Sequence, residues 1–220
     1  MMDAMTQDSL SKWKKSATRL VAGGLVGVAA SAGALVLAGS DLVGAMGPSR
    51  VALATIGLIY GLMALMVGFG LAAPRAGAKL LNVADAEELR EERSGMLLSV
   101  VTMGALGLVL VLLAVARTPG FSAGLVSAEV AMGALALSVV GGAVASWAWR
   151  DRFDELNRQL GLEGCFWAFC LSWVLLTLWA AADFLGLGAS LTAIDVVTTL
   201  AAMMLLGSFV AVGRRGMMVR

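Results

Sequence analysis

Apolar residues along this chain fall into blocks. Six can be marked: Leu20–Gly39, Val51–Ala73, Met96–Ala116, Val126–Ala148, Cys165–Ala182 and Ala193–Gly213. Each is about 18–23 residues long, which at about 1.5 Å of helical rise per residue matches a hydrocarbon layer of about 30 Å. Inside lipid every backbone N–H and C=O must be paired within the segment, so each block predicts an α-helix. A transmembrane β-barrel would need alternating runs of about 10 residues, and no such alternation appears. The expected fold is therefore all-α: a single transmembrane helical domain over residues 1–220, with six spans forming three consecutive hairpins. The first block is read as a span and not as a cleaved leader ending near Val36 and Ala38. A long polar stretch precedes it and another span follows directly.

Lysine and arginine orient the threading. Lys12, Lys14, Lys15 and Arg19 precede span 1; Arg75, Lys79, Arg90 and Arg93 separate spans 2 and 3; Arg150, Arg152 and Arg158 separate spans 4 and 5; Arg214, Arg215 and Arg220 close the chain. Only Arg50 and Arg117 of the 16 basic residues fall on the other side. By the positive-inside rule both termini are cytoplasmic. Trp147, Trp149 and Trp167 then mark the inner interface and Trp179 the outer one.

Asp41, Glu129, Asp183 and Asp195 all fall at outer helix ends, where a carboxylate avoids the cost of about 2.5–3.5 kcal/mol at the bilayer centre. They read as solvated rim acids partly paired with Arg50 and Arg117. The alternative is an acidic vestibule that attracts cations.

Two cytoplasmic segments are predicted to be helical. Over 82–93, Asn82 is a fair N-cap, and acids crowd the first turn where they suit the helix dipole. Asp85, Glu87, Glu88, Glu91 and Glu92 alternate with Arg90 and Arg93, making a solvated face or a docking surface. Over 150–160, Asp154 and Arg158 form an i,i+4 pair, and Phe153, Leu156 and Leu160 make one apolar stripe. This segment is expected to continue span 4 and to end at Gly161. Its stripe is expected to pack on Leu80–Leu89. Asp8-Ser9-Leu10, Glu87-Glu88-Leu89 and Asp154-Glu155-Leu156 each precede an odd-numbered span, a loose hint that the three hairpins are repeats.

Small residues suggest which helices approach closely. Gly23, Gly27 and Ser31 repeat every four residues in span 1; Ala134, Ser138, Gly142 and Ser146 do so in span 4; span 2 carries Gly57 and Gly61. Such stripes let backbones meet where lipid offers no hydrophobic drive. Spans 1, 2 and 4 are thus expected inside the bundle, with the bulkier spans 3 and 5 facing lipid. Near the midplane, Tyr60 (the sole tyrosine) and Thr177 are the candidate polar site. The Tyr60 hydroxyl is expected to bond a backbone carbonyl or a neighbouring hydroxyl, or else to touch a substrate. Pro48, Pro74 and Pro119 all fall in expected loops.

Composition agrees and then excludes. Hydrophobic residues make up 60% and charged residues 14%, against about 45–50% and about 25% in a soluble domain. A net charge of +1 gives no reason to expect nucleic acid. There is no histidine, which removes His-ligated metals and haem, Ser-His-Asp and Cys-His nucleophiles and a His proton relay. Cys165 and Cys170 have neither CxxC redox spacing nor metal-knuckle spacing, so no metal or cofactor is expected. No nucleophile–base pair lies at membrane depth, so an enzyme is not expected. Ala, Gly and Arg richness suggests a GC-rich bacterial genome, hence a multi-pass protein of the bacterial cytoplasmic (inner) membrane. The reading is a non-catalytic binding, scaffold or accessory-subunit role. Its expected partners are membrane lipid, other membrane proteins or further copies, and a cytoplasmic protein docking on the 82–93 and 150–160 segments. The alternative is a small-solute transporter or channel with a midplane site near Tyr60.

Overall fold

The structure is a computed structural model that describes residues 24–25, 27–36, 39–73, 93–116, 118, 126–149, 155–188 and 190–215. All regular structure among them is helical: α1 Gly27–Val36, α2 Ser40–Ala72, α3 Arg93–Val115, α4 Ala128–Trp149, α5 Glu155–Phe184 and α6 Ala193–Arg214. Five of the six, α2 to α6, are long and apolar enough to cross a membrane. The molecule is an all-helical membrane protein of several passes. Of the first expected span, only Gly24–Leu25, the ten residues of α1 and Gly39 fall among the described residues. The 82–93 segment lies outside them except for Arg93, as does the expected contact with Leu80–Leu89.

Two differences from the expected elements have clear local causes. Residues 40–50 form helix rather than loop, so Pro48 lies within a helix rather than in a connection. Gly47, at φ 73° and ψ 167°, breaks α2 into two pieces. Pro48 follows it, where its missing N–H costs nothing at the first position of a new helix. The chain from Pro48 to Ala72 then runs about 37 Å, enough to cross the hydrocarbon layer. The second difference is at Gly161, which does not terminate a helix extending from span 4. Residues 155–160 instead open α5, which runs through Gly161 for 30 residues. A single mid-helix glycine costs only about 1 kcal/mol, and strong helix formers flank it. Asp154 lies outside the described residues, and Arg158 approaches Glu155 at 4.0 Å.

The described residues divide into two compact units, those within 27–149 and those within 155–215 together with 24–25. In the first, α2 and α3 pack antiparallel along their length. Leu53, Ala54, Gly57, Tyr60 and Ala64 make one buried stripe on α2, at the i, i+3/i+4 spacing of a single helix face. Gly107, Leu110 and Ala114 answer it from α3. The contact begins where Arg50 donates to the Ala116 carbonyl (3.2 Å) and extends to Gly68, whose added Cβ would lie 3.6 Å from Val100. At its middle the two helices touch backbone to backbone. A Cβ on Gly107 would stand 2.7 Å from the Gly57 carbonyl oxygen and 2.8 Å from the Gly61 nitrogen.

Span 3, expected to face lipid, is thus the helix on which α2 packs. Gly107, Val109, Leu110 and Ala114 are buried, whereas Leu108 is 61% exposed on another face. Average composition hides that division. In α4 only Ala131 is buried, despite the small residues that placed this helix in the expected interior.

In the second unit, Gly164, Ala168 and Ser172 of α5 are buried at four-residue spacing, and Thr199, Ala201, Gly207 and Ala211 are buried on α6. A Cβ on Gly207 would fall 2.5 Å from the Gly164 carbonyl oxygen and 2.6 Å from the Ala168 nitrogen.

Because the obstructing atoms are backbone, neither crossing can admit a methyl group without the helices separating. Gly107→Ala and Gly207→Ala are each expected to destabilise the protein by about 1–3 kcal/mol, the usual cost of overpacking. Gly133→Ala on α4, where the added Cβ meets nothing within 4 Å, is expected to be neutral or to stabilise by about 0.5–1 kcal/mol. Thermal unfolding in mild detergent checks both; a Gly107→Ala protein as stable as the parent would refute the close crossing.

Candidate functional site

Three sets of residues were candidates from the sequence: small-residue faces, a midplane pair and outer-rim acids. Within the first unit the structure brings together Gly57, Gly61 and Tyr60. Tyr60 is 6% exposed, and its Cβ lies 3.1 Å from where a Cβ on Gly107 would stand. Its ring therefore forms part of the α2–α3 contact, one helical turn past the crossing glycine. Gly27 faces Ile59, at 3.7 Å from its added Cβ, and Ser31 is fully buried. Ala134, Ser138 and Gly142 are half-buried and Ser146 is exposed. Gly23 lies outside the described residues. Thr177 is exposed on α5, in the other unit.

Several hydroxyls within the spans are turned back onto their own helices. Ser31 donates to the Gly27 carbonyl at 2.8 Å, Thr55 to Val51 at 2.8 Å and Thr102 to Leu98 at 2.9 Å. Thr198 donates to Ile194 at 2.8 Å and Ser208 to Met204 at 2.9 Å. An i→i−4 bond of this kind satisfies a hydroxyl where water is absent. It also aims the hydroxyl along its own helix and away from any shared centre.

The four acids at helix ends divide by role. Asp195 completes a capping box: Thr192 Oγ1 accepts from the Asp195 N–H at 3.3 Å, and Asp195 Oδ2 accepts from the Thr192 N–H at 3.0 Å. Asp183 accepts from the Leu191 N–H at 3.0 Å, tying the end of α5 to the approach of α6. Between them, Gly186 at φ 69° ends α5 in a Schellman motif, with Leu187 N–H on the Ala182 carbonyl (2.8 Å) and Gly186 N–H on the Asp183 carbonyl (3.0 Å). These two acids build the turn. Asp41 and Glu129 stand in the first turns of α2 and α4, both exposed, where a negative charge suits the helix dipole. Arg50, expected to pair with the rim acids, also donates to the C-terminal end of α3.

A further polar group, not foreseen, joins the N-terminal part of α5 to the end of α6. Glu163 receives Arg215 Nε at 3.1 Å and stands 3.9 Å from Arg214 Nε. Arg215 reaches Gln159 Oε1 at 3.4 Å, and the Arg214 guanidinium lies over the Trp167 ring at 5.2 Å. The Trp167 Nε1 is buried without a hydrogen-bond partner among the described residues. In sequence only the lone Glu163, two residues past an apparent helix stop, hinted at this group. Cys165 is exposed, Cys170 is half-buried, and both are free thiols.

Fold and site together define an all-helical, multi-pass membrane protein. No known family, no curated protein and no solved structure matches this chain.

Removing the capping hydroxyl orphans a helix N-terminal N–H. Thr192→Ala is expected to cost about 0.5–2 kcal/mol, whereas Thr177→Ala at an exposed position is expected to cost less than about 0.5 kcal/mol. Detergent unfolding of the two variants side by side is the check, and equal losses would refute the capping role.

Proposed function

We propose that this chain crosses a bacterial inner membrane six times as three consecutive hairpins with both termini in the cytoplasm. There it acts by binding, as a scaffold or accessory subunit, rather than by catalysis. The orientation rests on the distribution of basic residues, and the bacterial assignment on composition. One observation carries the functional reading: several hydroxyls of the spans are spent within their own helices. Ser31, Thr55, Thr102, Thr198 and Ser208 bond backbone one turn back, and Tyr60 is packed into a helix contact. Large apolar side chains such as Leu137, Val140, Phe169 and Trp173 point outward from α4 and α5. Such faces suit lipid and neighbouring helices.

Gentle extraction at natural abundance is expected to bring the protein out with a second polypeptide or with further copies of itself. Recovery as a lone monomer would overturn the reading.

A small-solute carrier or channel is the second reading, and the likeness of the α2–α3 and α5–α6 crossings favours it. It requires water to reach the neighbourhood of Tyr60. In a Cys165→Ala, Cys170→Ala background, single cysteines along α1, α2 and α4 are then expected to react with a polar maleimide from one side of the membrane. Uniform silence would remove this reading.

A further inference from the structure

We infer that α2–α3 and α5–α6 are two copies of one helical hairpin placed in the membrane in opposite directions, so that the chain is an inverted repeat of three helices, α1–α3 and α4–α6. The opposite directions rest on the threading proposed above; the likeness of the two hairpins does not.

The likeness is atomic. In each pair, taken by itself, a glycine of the second helix lies on one backbone hydrogen bond of the first. Gly107 faces the carbonyl oxygen of Gly57 and the nitrogen of Gly61, at 2.7 and 2.8 Å from its added Cβ. Gly207 faces the carbonyl oxygen of Gly164 and the nitrogen of Ala168, at 2.5 and 2.6 Å. The oxygen of residue i and the nitrogen of residue i+4 are the two ends of a single α-helical hydrogen bond. Both second helices thus meet the same backbone feature of their partners. The third neighbour differs: it is the Cβ of Tyr60, three residues past Gly57, in one pair and the Cβ of Ala168, four residues past Gly164, in the other, at 3.1 and 3.0 Å.

The residues around the crossings correspond. The first helices read Gly57-Leu58-Ile59-Tyr60-Gly61 and Gly164-Cys165-Phe166-Trp167-Ala168, each a glycine, then an aromatic with a polar handle at i+3 and a small residue at i+4. The second helices read Met103-Gly104-Ala105-Leu106-Gly107 and Met203-Met204-Leu205-Leu206-Gly207, sharing Met-x-x-Leu-Gly. Where the residues differ, the space allows it. A Cβ on Gly61 meets nothing within 4 Å, so the alanine found at its counterpart, Ala168, would fit there.

The likeness also selects between two ways of dividing the chain. Three consecutive repeated hairpins would make α3–α4 a counterpart of α5–α6. The glycines of α4 at 133, 141 and 142 meet nothing within 4 Å, and no crossing of this kind joins α3 to α4. Division into halves instead makes α1 and α4, the two helices richest in small residues, counterparts of each other. Because three spans make one unit, the second copy enters from the opposite side. The connection closing α2–α3 carries Arg75, Lys79 and Arg90, whereas residues 185–192, which close α5–α6, carry no charge. By the positive-inside rule the two closed ends lie on opposite sides of the membrane. Carriers that open one site to two sides in turn are often built from such inverted pairs. The repeat therefore deepens the second reading, with Tyr60 and Trp167 as equivalent positions.

Exchange of counterpart residues in the full-length protein tests the equivalence. Tyr60→Trp with Gly61→Ala, and Trp167→Tyr with Ala168→Gly, are each expected to leave the detergent unfolding midpoint within a few degrees of the parent, while Gly107→Ala and Gly207→Ala lower it by clearly more. Loss of the folded protein in either exchange, or a fall as large as that of the glycine variants, overturns the equivalence. Direction is tested separately, in the Cys165→Ala, Cys170→Ala background. A membrane-impermeant maleimide should label Leu187→Cys in intact cells and Ala78→Cys only after permeabilisation. Labelling of both from one side would overturn the inversion and the proposed threading together. Failure of the exchanges alone would leave the threading standing.

Discussion

Everything ordered in this molecule depends on how closely two helix backbones can approach in lipid. In water, burying leucine is its own reward; between helices already in hydrocarbon that drive is absent, and association rests on van der Waals packing. Close packing of atoms needs close backbones, and close backbones need positions without a side chain. Gly107 against the Gly57–Gly61 turn, and Gly207 against the Gly164–Ala168 turn, supply them. Around these points lie Ala54, Ala64 and Ala114 with the fully buried Leu53 and Leu110 on one pair, and Ala168, Ala201 and Ala211 on the other. Other large residues, such as Leu65, Leu108 and Phe169, point away from the contact. Helices this apolar would otherwise have little reason to prefer one face over another.

The same solvent dictates what polar groups do. A hydroxyl within a span has no water and few neighbours, so the nearest reliable acceptor is the carbonyl one turn back. Threonine and serine in α1, α2, α3 and α6 take that bond. At the ends, where backbone groups run out of helical partners, the sequence provides them explicitly. Arg50 covers the carbonyl of Ala116, Thr192 and Asp195 cap α6, and Asp183 takes the N–H of Leu191. Charge in this protein is architectural at every such place. Glu163 with Arg214 and Arg215 does at one end of the α5–α6 pair what Asp183 and Gly186 do at the other.

The presence and approximate extent of α2 to α6 were readable in the sequence because hydropathy over a window of about 20 residues is a strong, additive signal. The details that failed were those set by single residues. Gly161 looked like a stop because glycine often ends helices, yet its neighbours favour helix enough to carry the chain through it. Gly186, the true stop, was hidden in a run of small and apolar residues, and only its left-handed φ distinguishes it. Gly57 and Gly61 were legible as a close-packing face, but their partner was not. Gly107 sits in a helix whose average bulk suggested a lipid-facing span, and averages cannot say that one face carries a glycine that admits another backbone. Asp183 and Asp195 lie at helix ends, while their hydrogen bonds required knowing the turn between α5 and α6.

What remains for function is a question of which groups the architecture leaves over. Tyr60 was the most conspicuous candidate in sequence, as a lone phenol in a long apolar segment. In the fold it serves the crossing, and its counterpart Trp167 sits at the equivalent step of the other pair beneath the guanidinium of Arg214. An aromatic ring one turn past a glycine fills the wedge that opens as two helices diverge from their closest point. Packing alone is therefore enough to account for the Tyr60 ring, whereas the Trp167 Nε1 is buried without a hydrogen-bond partner among the described residues. Residues that shape a wedge between two helices also set how those helices tilt against each other. If the hairpins do move within the membrane, these are the positions at which motion would be felt first, and a binding role would act through them as readily as a transport role.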